Sequence, residues 1–417
     1  MIQLIRGFKD ILPDEVGLWQ KIEHTACDVF EIFGFKEIRT PILESTDLFI
    51  RSIGENTDIV EKEMYTFPDR KGEMITLRPE ATASVVRSYI QHKIYSYDPV
   101  QKFYTIGPMF RRERPQKGRY RQFYQINAEI FGISSPFIDS ELIFLLMTIF
   151  AKLSLDEIST KINSLGCPLC RIKFKESLIS FLSEISNLLC EDCTRRSQSN
   201  PLRVLDCKVP SCKEAMKVAP SINDFLCTDC LSHFEIVKDN LNKLKIPYIV
   251  DKNLVRGLDY YTRTTFEIQT NLLGSQNAIA GGGRYDCLMK ALGGPDTPGI
   301  GFAIGLDRLV DILSQKQKQP EEKIDVFIAP LGDKARIKAF EWSCSLKLES
   351  IKTEMEFSDK SLKSMMKRAD RLNSKYVLIV GDKELDEGVA ILRDMATKEQ
   401  TTIQICDIVS NIKLKQF

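Results

Sequence analysis

Eight of the 12 cysteines crowd into one stretch, as CPLC (167–170), CEDC (190–193), CKVPSC (207–212) and CTDC (227–230). Nothing else in the 417 residues restricts the chain so tightly, because each pair must bring two thiols to one point. Two or four residues between the members of a pair let two thiolates turn toward one ion, so four pairs can build two zinc sites of four thiolates each. Free or redox-active thiols and disulfides are the other chemistries open to such pairs. Compartment orders them. The first ten residues hold Arg6, Lys9 and Asp10 where a signal peptide would be continuously apolar. The longest apolar run, Leu142 to Ala151 with Thr148 interrupting it, is far short of the ~20 residues that span a bilayer. A cytoplasmic chain without a membrane span is expected, and there zinc is favoured over free thiols and both over disulfides.

The stretch from 165 to 235 carries these pairs and has no strand signal of its own, so it reads as a small Cys-rich insertion domain. Around it lie short runs rich in Phe, Tyr, Ile and Thr: Phe103 to Phe110, Phe123 to Phe131, Tyr261 to Ile268 and Gly299 to Ile304. Such residues suit strands, and the runs are far apart, which predicts an antiparallel sheet built from distant partners. Ahead of them Leu18, Ile22, Ala26, Val29, Phe30 and Phe33 recur mostly every three or four residues and predict a helix with one buried face. The tract SQKQKQPEEK, Ser314 to Lys323, lacks apolar periodicity and marks a linker. Beyond it, apolar runs at Val326 to Ala329 and Tyr376 to Val380 alternate with the helical pattern Leu362, Met365, Met366, Ala369, Leu372, predicting an α/β unit with a mostly parallel sheet. The expected organisation is an α+β domain split over 1–164 and 236–318, the insertion at 165–235, and an α/β domain at 324–417.

With 58 Lys+Arg against 57 Asp+Glu, the net charge of +1 excludes a histone-like or acidic-tail protein and speaks against a purely structural RNA binder. Positive charge is concentrated locally. FRRERPQKGRYRQF, Phe110 to Phe123, sets Arg111, Arg112, Arg114, Lys117, Arg119 and Arg121 against Glu113 alone. A charge run is often a solvated face, but this one lies between two apolar strands, where arginine forks can grip phosphates. LVRGLDYYTRTTFEI (Leu254 to Ile268) adds Arg256 beside Tyr260 and Tyr261. AGGGRYDCL (Ala280 to Leu288) and PGIGFAIGLDRL (Pro298 to Leu309) allow close backbone approach, yet match neither a P-loop nor a dinucleotide fingerprint. The three histidines, His24, His92 and His233, do not cluster, so no catalytic histidine is expected.

In this order the segments resemble the histidyl-tRNA synthetases, a family of class II aminoacyl-tRNA synthetases. The likeness runs from IRGFKDILP (Ile5 to Pro13) through IRTPILE (Ile38 to Glu44), similar to the motif 1 dimer segment, and TLRPEAT (Thr76 to Thr82). The arginine-rich hairpin resembles motif 2, LVRGLDYY and AGGGRYD resemble the two histidine-specific motifs, GIGFAIGLDRL resembles motif 3, and the last hundred or so residues look like an anticodon-binding domain. The resemblance implies a class II synthetase-like fold, ATP with Mg2+ as substrate, L-histidine and a cognate histidine tRNA as further substrates, and a homodimer. It places Arg111, Glu113, Arg119, Phe123 and Arg308 on ATP. It assigns histidine to Glu80, Ala81, Thr82, Arg111, Gln125, Glu129, Arg256, Tyr260 and Tyr261, with Glu80, Thr82 and Gln125 at the α-amino group and Glu129 with Tyr261 at the imidazole. Arg256 and Arg111 would carry catalysis as fixed charges on the α-phosphate, since a guanidinium cannot deprotonate. Zinc is implied for Cys167, Cys170, Cys190, Cys193, Cys207, Cys212, Cys227 and Cys230 only through the insertion, which many members lack. Asp307 in place of the usual Glu, Asn127 and Ala128 in place of a Gly-Cys pair, and Ala81 in place of a frequent Gly depart from the pattern. A histidine-sensing regulatory relative is the alternative reading. Such relatives lose the ATP arginines and the C-terminal domain, both of which this chain retains.

Overall fold

A computed structural model describes residues 1–55, 57–115, 118–273, 277–316 and 323–414. They fall into two compact units, Met1–Lys318 and Gln319–Phe417. Lys117 and residues 317–322 of the expected linker lie outside the described residues.

In the first unit the four aromatic and β-branched runs become the strands Gln101–Phe110, Gln122–Phe131, Thr262–Gln269 and Gly299–Gly305. They belong to an eight-stranded sheet whose spatial order is Lys36–Glu37, Gln101–Phe110, Gln122–Phe131, Gly299–Gly305, Ala278–Arg284, Thr262–Gln269, Ser159–Ser164, Tyr248–Val250. The five inner pairings are antiparallel. Only the outermost pairing at each end is parallel. Side chains alternate across a strand, and along Gln122–Phe131 this sends Ile126, Ala128 and Ile130 into the main apolar core. Gln125, Asn127 and Glu129 therefore face the opposite side, where the pocket lies. The helix expected from Leu18 begins at Pro13, a residue suited to a first turn because its missing N–H would have no helical partner. Its Phe30 stacks on Tyr104 with ring centres 4.7 Å apart. A small sheet of Leu43–Ser45, Met74–Leu77 and Tyr65–Pro68, not foreseen from the runs, aligns the IRTPILE and TLRPEAT segments by pairing Leu43 with Leu77.

The Cys-rich stretch is helical, with Pro168–Glu184, Glu191–Ser199, Pro210–Ala215 and Thr228–Lys243 as its α-helices. Its apolar side chains Phe174, Leu178, Leu182 and Val204 share a core with Val85, Tyr89, Tyr260 and Tyr285 of the surrounding body. The helix Thr228–Lys243 continues across residue 235 and supplies Phe234, Val237 and Leu241 to the main core.

The second unit has a five-stranded sheet ordered Thr353–Met355, Val326–Leu331, Tyr376–Gly381, Val389–Asp394, Gln400–Gln404. Its first two pairings are parallel and its last two antiparallel, so the sheet is evenly mixed where a mostly parallel one was expected. The reason lies in the connections. Parallel neighbours need a crossover of a dozen or more residues, whereas only the short helix Asp382–Asp386 separates Gly381 from Val389, and a turn separates Asp394 from Gln400. The helix Leu306–Lys316 likewise extends through Ser314, so the linker begins later than its composition suggested.

Candidate active site

A cavity opens on the polar face of the large sheet. Of the expected ATP residues, Arg111, Glu113, Arg119, Phe123 and Arg308 all line it. So do Glu80, Thr82, Gln125, Arg256, Tyr260 and Tyr261 of the expected histidine set. Residues as far apart as Glu80 and Arg308 converge because the sheet lays motif 2, the glycine strands and the motif 3 strand side by side.

At one end the connection between the hairpin strands carries the cations Arg111 and Arg119. Arg111 sits with its guanidinium 5.3 Å from the centre of the Phe123 ring and donates from Nε to the Pro79 carbonyl at 2.9 Å. Arg119 pairs with Glu113 at 2.7 Å. Arg308, at the start of a helix, donates from Nη1 to the Ala278 carbonyl at 2.6 Å and from Nε to that of Gly118 at 3.2 Å. Burial pushes its pKa down, and the neighbouring Arg119 adds to that. Such a crowd of positive charge calls for an anion. Asp307 beside it accepts from the backbone N–H of Tyr124 at 2.7 Å, tying this helix to the motif 2 strand. Burial raises its carboxyl to about 6.

At the other end the residues are buried and interlocked. Glu129 is 1% exposed, accepts from Thr82 Oγ1 at 2.6 Å and from the Tyr285 hydroxyl, and is pushed by burial up to about 8. Tyr285 is a residue the sequence reading left without a role, although the motif AGGGRYD contains it. Tyr261, expected with Glu129 at the imidazole, lines the cavity with its ring centre 6.0 Å from the Arg256 guanidinium. Glu80 takes the backbone N–H groups of Thr82 and Ala83 at 2.7 and 2.8 Å, and so closes the start of the helix Thr82–Gln91 as well as lining the pocket. Ala81 is fully buried as the N-cap of that helix, and neither it nor Glu129 is on the cavity wall. Asn127 lines the cavity too. The side-chain atoms Gln125 Oε1, Asn127 Nδ2 and Arg256 Nε are buried with no hydrogen-bond partner among the described residues. Orphaned polar atoms in a cleft are sites that a polar ligand satisfies.

Arg256 is held by Glu267, Nη1 to Oε2 at 2.6 Å. Burial opposes its charge, but Tyr261 and Glu267 outweigh that and raise its pKa. The glycines explain themselves here: a Cβ on Gly281 would stand 2.6 Å from Arg256 Cζ, and one on Gly301 would overlap the Glu129 carboxylate.

Comparison with known proteins agrees with this geometry. The profile described as histidyl-tRNA synthetase matches residues 7–167 and 183–309, and that of an anticodon binding domain matches 325–415. The chain belongs to the histidyl-tRNA synthetase family. It is 60% identical over 412 residues to a histidine–tRNA ligase of Desulfatibacillum aliphaticivorans, covering 99% of this chain and 98% of that one. It is also 60% identical over 408 residues to one of Desulforapulum autotrophicum, covering 98% and 96%. The structure of apo histidyl-tRNA synthetase from S. aureus superposes with a TM-score of 0.83 at 38% identity, covering 99% of this chain and 100% of that one.

In this family member the cysteines form two quartets: Cys167, Cys170, Cys227 and Cys230, and Cys190, Cys193, Cys207 and Cys212. The first pair thus joins the last and the two middle pairs join each other, a pairing that spacing alone left open. Within each quartet the sulfur atoms lie within 4.8 Å of one another. Four sulfurs ~2.3 Å from a tetrahedral zinc would be roughly 3.8 Å apart, and the Cys167–Cys170 and Cys190–Cys207 separations are 3.5 and 3.9 Å. Backbone N–H groups already point at two of the sulfurs, Cys227 N at Cys170 Sγ (3.1 Å) and Cys190 N at Cys212 Sγ (3.0 Å), as outer donors do around a metal-bound sulfur. The donor set therefore fits zinc. The remaining histidine of note, His233, is remote from the pocket chemistry: it shares the buried Asp139 with Arg284, at 2.8 Å each.

Proposed function

We propose that the chain is a histidine–tRNA ligase, which activates L-histidine with ATP to histidyl-adenylate and then transfers the histidyl group to the 3′ end of its cognate tRNA. The observation that carries this is one cavity lined by Arg111, Arg119 and Arg308 at one end and by Thr82, Gln125, Tyr260 and Tyr261 at the other, with Glu129 buried behind that wall and bonded to Thr82. In the first step a histidine carboxylate oxygen attacks the α-phosphorus while the bond to the bridging oxygen breaks, and pyrophosphate leaves with that electron pair. No enzyme nucleophile is needed; catalysis is positioning and charge. Arg111 and Arg256 would flank the α-phosphate, Arg119 and Arg308 the outer phosphates, and Glu113 and Phe123 the adenine. Mg2+ would accompany ATP. In the second step a terminal adenosine hydroxyl of the tRNA attacks the activated carbonyl and AMP leaves.

For the amino acid, Glu129 would meet the imidazole. A carboxyl kept protonated by burial can donate to an imidazole nitrogen, and the ionised form can accept from the other tautomer. Glu80, Thr82 and Gln125 would surround the α-amino group, with Tyr260 and Tyr261 as walls. The orphaned Gln125 oxygen is a ready acceptor for an ammonium. Zinc in the two thiolate quartets, a homodimer through the motif 1 segment, recognition of the anticodon by the second unit, and a cytoplasmic setting that keeps the thiols reduced complete the reading. Zinc would supply folding energy to the insertion and take no part in the chemistry. The test is exchange of pyrophosphate into ATP by the purified chain with each amino acid in turn. Exchange with histidine alone is expected; exchange with another amino acid, or with none, would overturn the assignment.

A further inference from the structure

The residues that line the histidine end of the pocket sit on a segment with no regular structure of its own. Between the strands Tyr248–Val250 and Thr262–Gln269, residues 254–261 are neither helix nor strand, yet Arg256, Tyr260 and Tyr261 must point at the ligand. Irregular backbone needs partners for its carbonyl groups. Two side chains of the Cys-rich insertion supply them, and a third holds a side chain of the loop. Arg171 Nη1 donates to the carbonyls of Asp259 (3.3 Å) and Tyr261 (3.1 Å). Arg203 Nη1 donates to the carbonyl of Arg256 at 3.1 Å. Asn200 Nδ2 donates to both carboxylate oxygens of Asp259, at 3.0 and 2.9 Å. Among the described residues the rest of the loop backbone is tied by the body, where Asp259 N donates to Ile53 O at 3.1 Å and the Leu254 carbonyl accepts from Asn163 at 3.1 Å, and locally by Leu254 N to Asp251 O at 2.9 Å.

Each of the three donors lies close in sequence to a thiol quartet. Arg171 directly follows Cys170 of the first quartet, and Asn200 and Arg203 lie in the stretch that the second quartet closes between Cys193 and Cys207. The second stretch is also pinned to the body by Arg196 and Arg203, which reach Asp58 at 2.7 and 3.8 Å. We propose that Arg171, Asn200 and Arg203 are positioning residues for histidine, and that the insertion serves to aim Arg256, Tyr260 and Tyr261 from behind the pocket. The inference rests on the reading of the site as a histidine pocket. It assigns the insertion a task in substrate selection in addition to its own folding. None of the three lines the cavity itself, so their effect must pass through the loop.

The test uses the full-length chain and the variants Arg171→Ala, Arg203→Ala, Arg203→Lys and Asn200→Ser, with Lys175→Ala, exposed on the same helix as Arg171, as the control. Pyrophosphate exchange is measured against histidine and against ATP separately, with histidine binding followed by calorimetry and amide exchange of residues 254–261 by mass spectrometry. Displacements on the scale of an ångström cost up to about a hundredfold in such sites, so Arg171→Ala and Arg203→Ala are expected to raise the KM for histidine by roughly tenfold while the KM for ATP stays within about twofold. Amide exchange should speed up in the loop alone, and Arg203→Lys, which keeps one donor, should recover most of the loss. Equal changes in both KM values, or none, would overturn the inference, because a merely structural role lowers the amount of active enzyme without separating the two substrates. If an alanine variant does not fold, Asn200→Ser and Arg203→Lys decide by the same split. Failure of the wild-type chain to show histidine-dependent exchange sinks the functional reading and this inference with it, whereas wild-type exchange with indifferent variants sinks this inference alone.

Discussion

Gly281 shows what a single missing methyl does in this pocket. A Cβ there would crowd first the end of a flexible side chain, the Arg256 guanidinium. Arg256 can swing away, so Gly281→Ala should cost about 1 kcal/mol or less of stability but disturb the charge it carries. Histidine-dependent exchange should fall by about a hundredfold, with an unfolding midpoint close to that of the parent; retained turnover would remove Arg256 from the chemistry. Glu129 gives the second test at this scale. Burial lifts its pKa from the ordinary 4.5 to about 8, so the folded state prefers the protonated form. Its contribution to stability is then complete below about pH 4.5 and is lost as pH rises through about 8. Denaturant midpoints of the full chain should fall between pH 5 and pH 9, and Glu129→Gln, which cannot ionise, should flatten that fall by roughly 1 to 4 kcal/mol. An unchanged slope would mean that Glu129 titrates normally.

Among the elements, the helices of the insertion depend most on their thiols. Cys167, Cys190 and Cys227 are the N-caps of Pro168–Glu184, Glu191–Ser199 and Thr228–Lys243. Thiolate at a helix start is favoured by the exposed N–H groups there, and a shared ion would join the start of Pro168–Glu184 to that of Thr228–Lys243. Cys193 is wholly buried in the second quartet. Cys193→Ser should lower bound zinc from about two to about one per chain by elemental analysis. Unchanged content near two would place the metal elsewhere, and none in either protein would leave the quartets as reduced thiols.

At the scale of the molecule, the two units have separate cores. Val326, Ile328, Leu346 and Leu378 pack together in one, and Phe30, Ile126, Leu146 and Phe302 in the other. Units with their own cores fold independently as a rule. A chain ending at Lys318 should therefore keep histidine-dependent exchange within about twofold while charging of tRNA falls by roughly tenfold or more, equivalent to about 1.4 kcal/mol of lost binding. Undiminished charging would show that the second unit does not contribute to tRNA recognition.

The strands, the first helix and the arginine hairpin were legible in the sequence because local composition and period dictate them. Phe103 to Phe110 and Phe123 to Phe131 read as strands and are strands. The family was legible for a related reason: the motifs are contiguous, so TLRPEAT or AGGGRYD can be read without knowing what lies beside it. What joins distant segments was not legible. The partnership of Tyr285 with Glu129, the grouping of the outer and inner Cys pairs, and the grip of Arg171 and Arg203 on the loop at Arg256 all link positions whose spacing carries no signal. The mixed sheet of the second unit followed from connection lengths that composition under-reads. Sequence by itself determined which residues and elements are present and what chemistry they can support. Only the tertiary structure decided which side chains share a hydrogen bond, because packing in three dimensions selects one partner among many of equal local propensity.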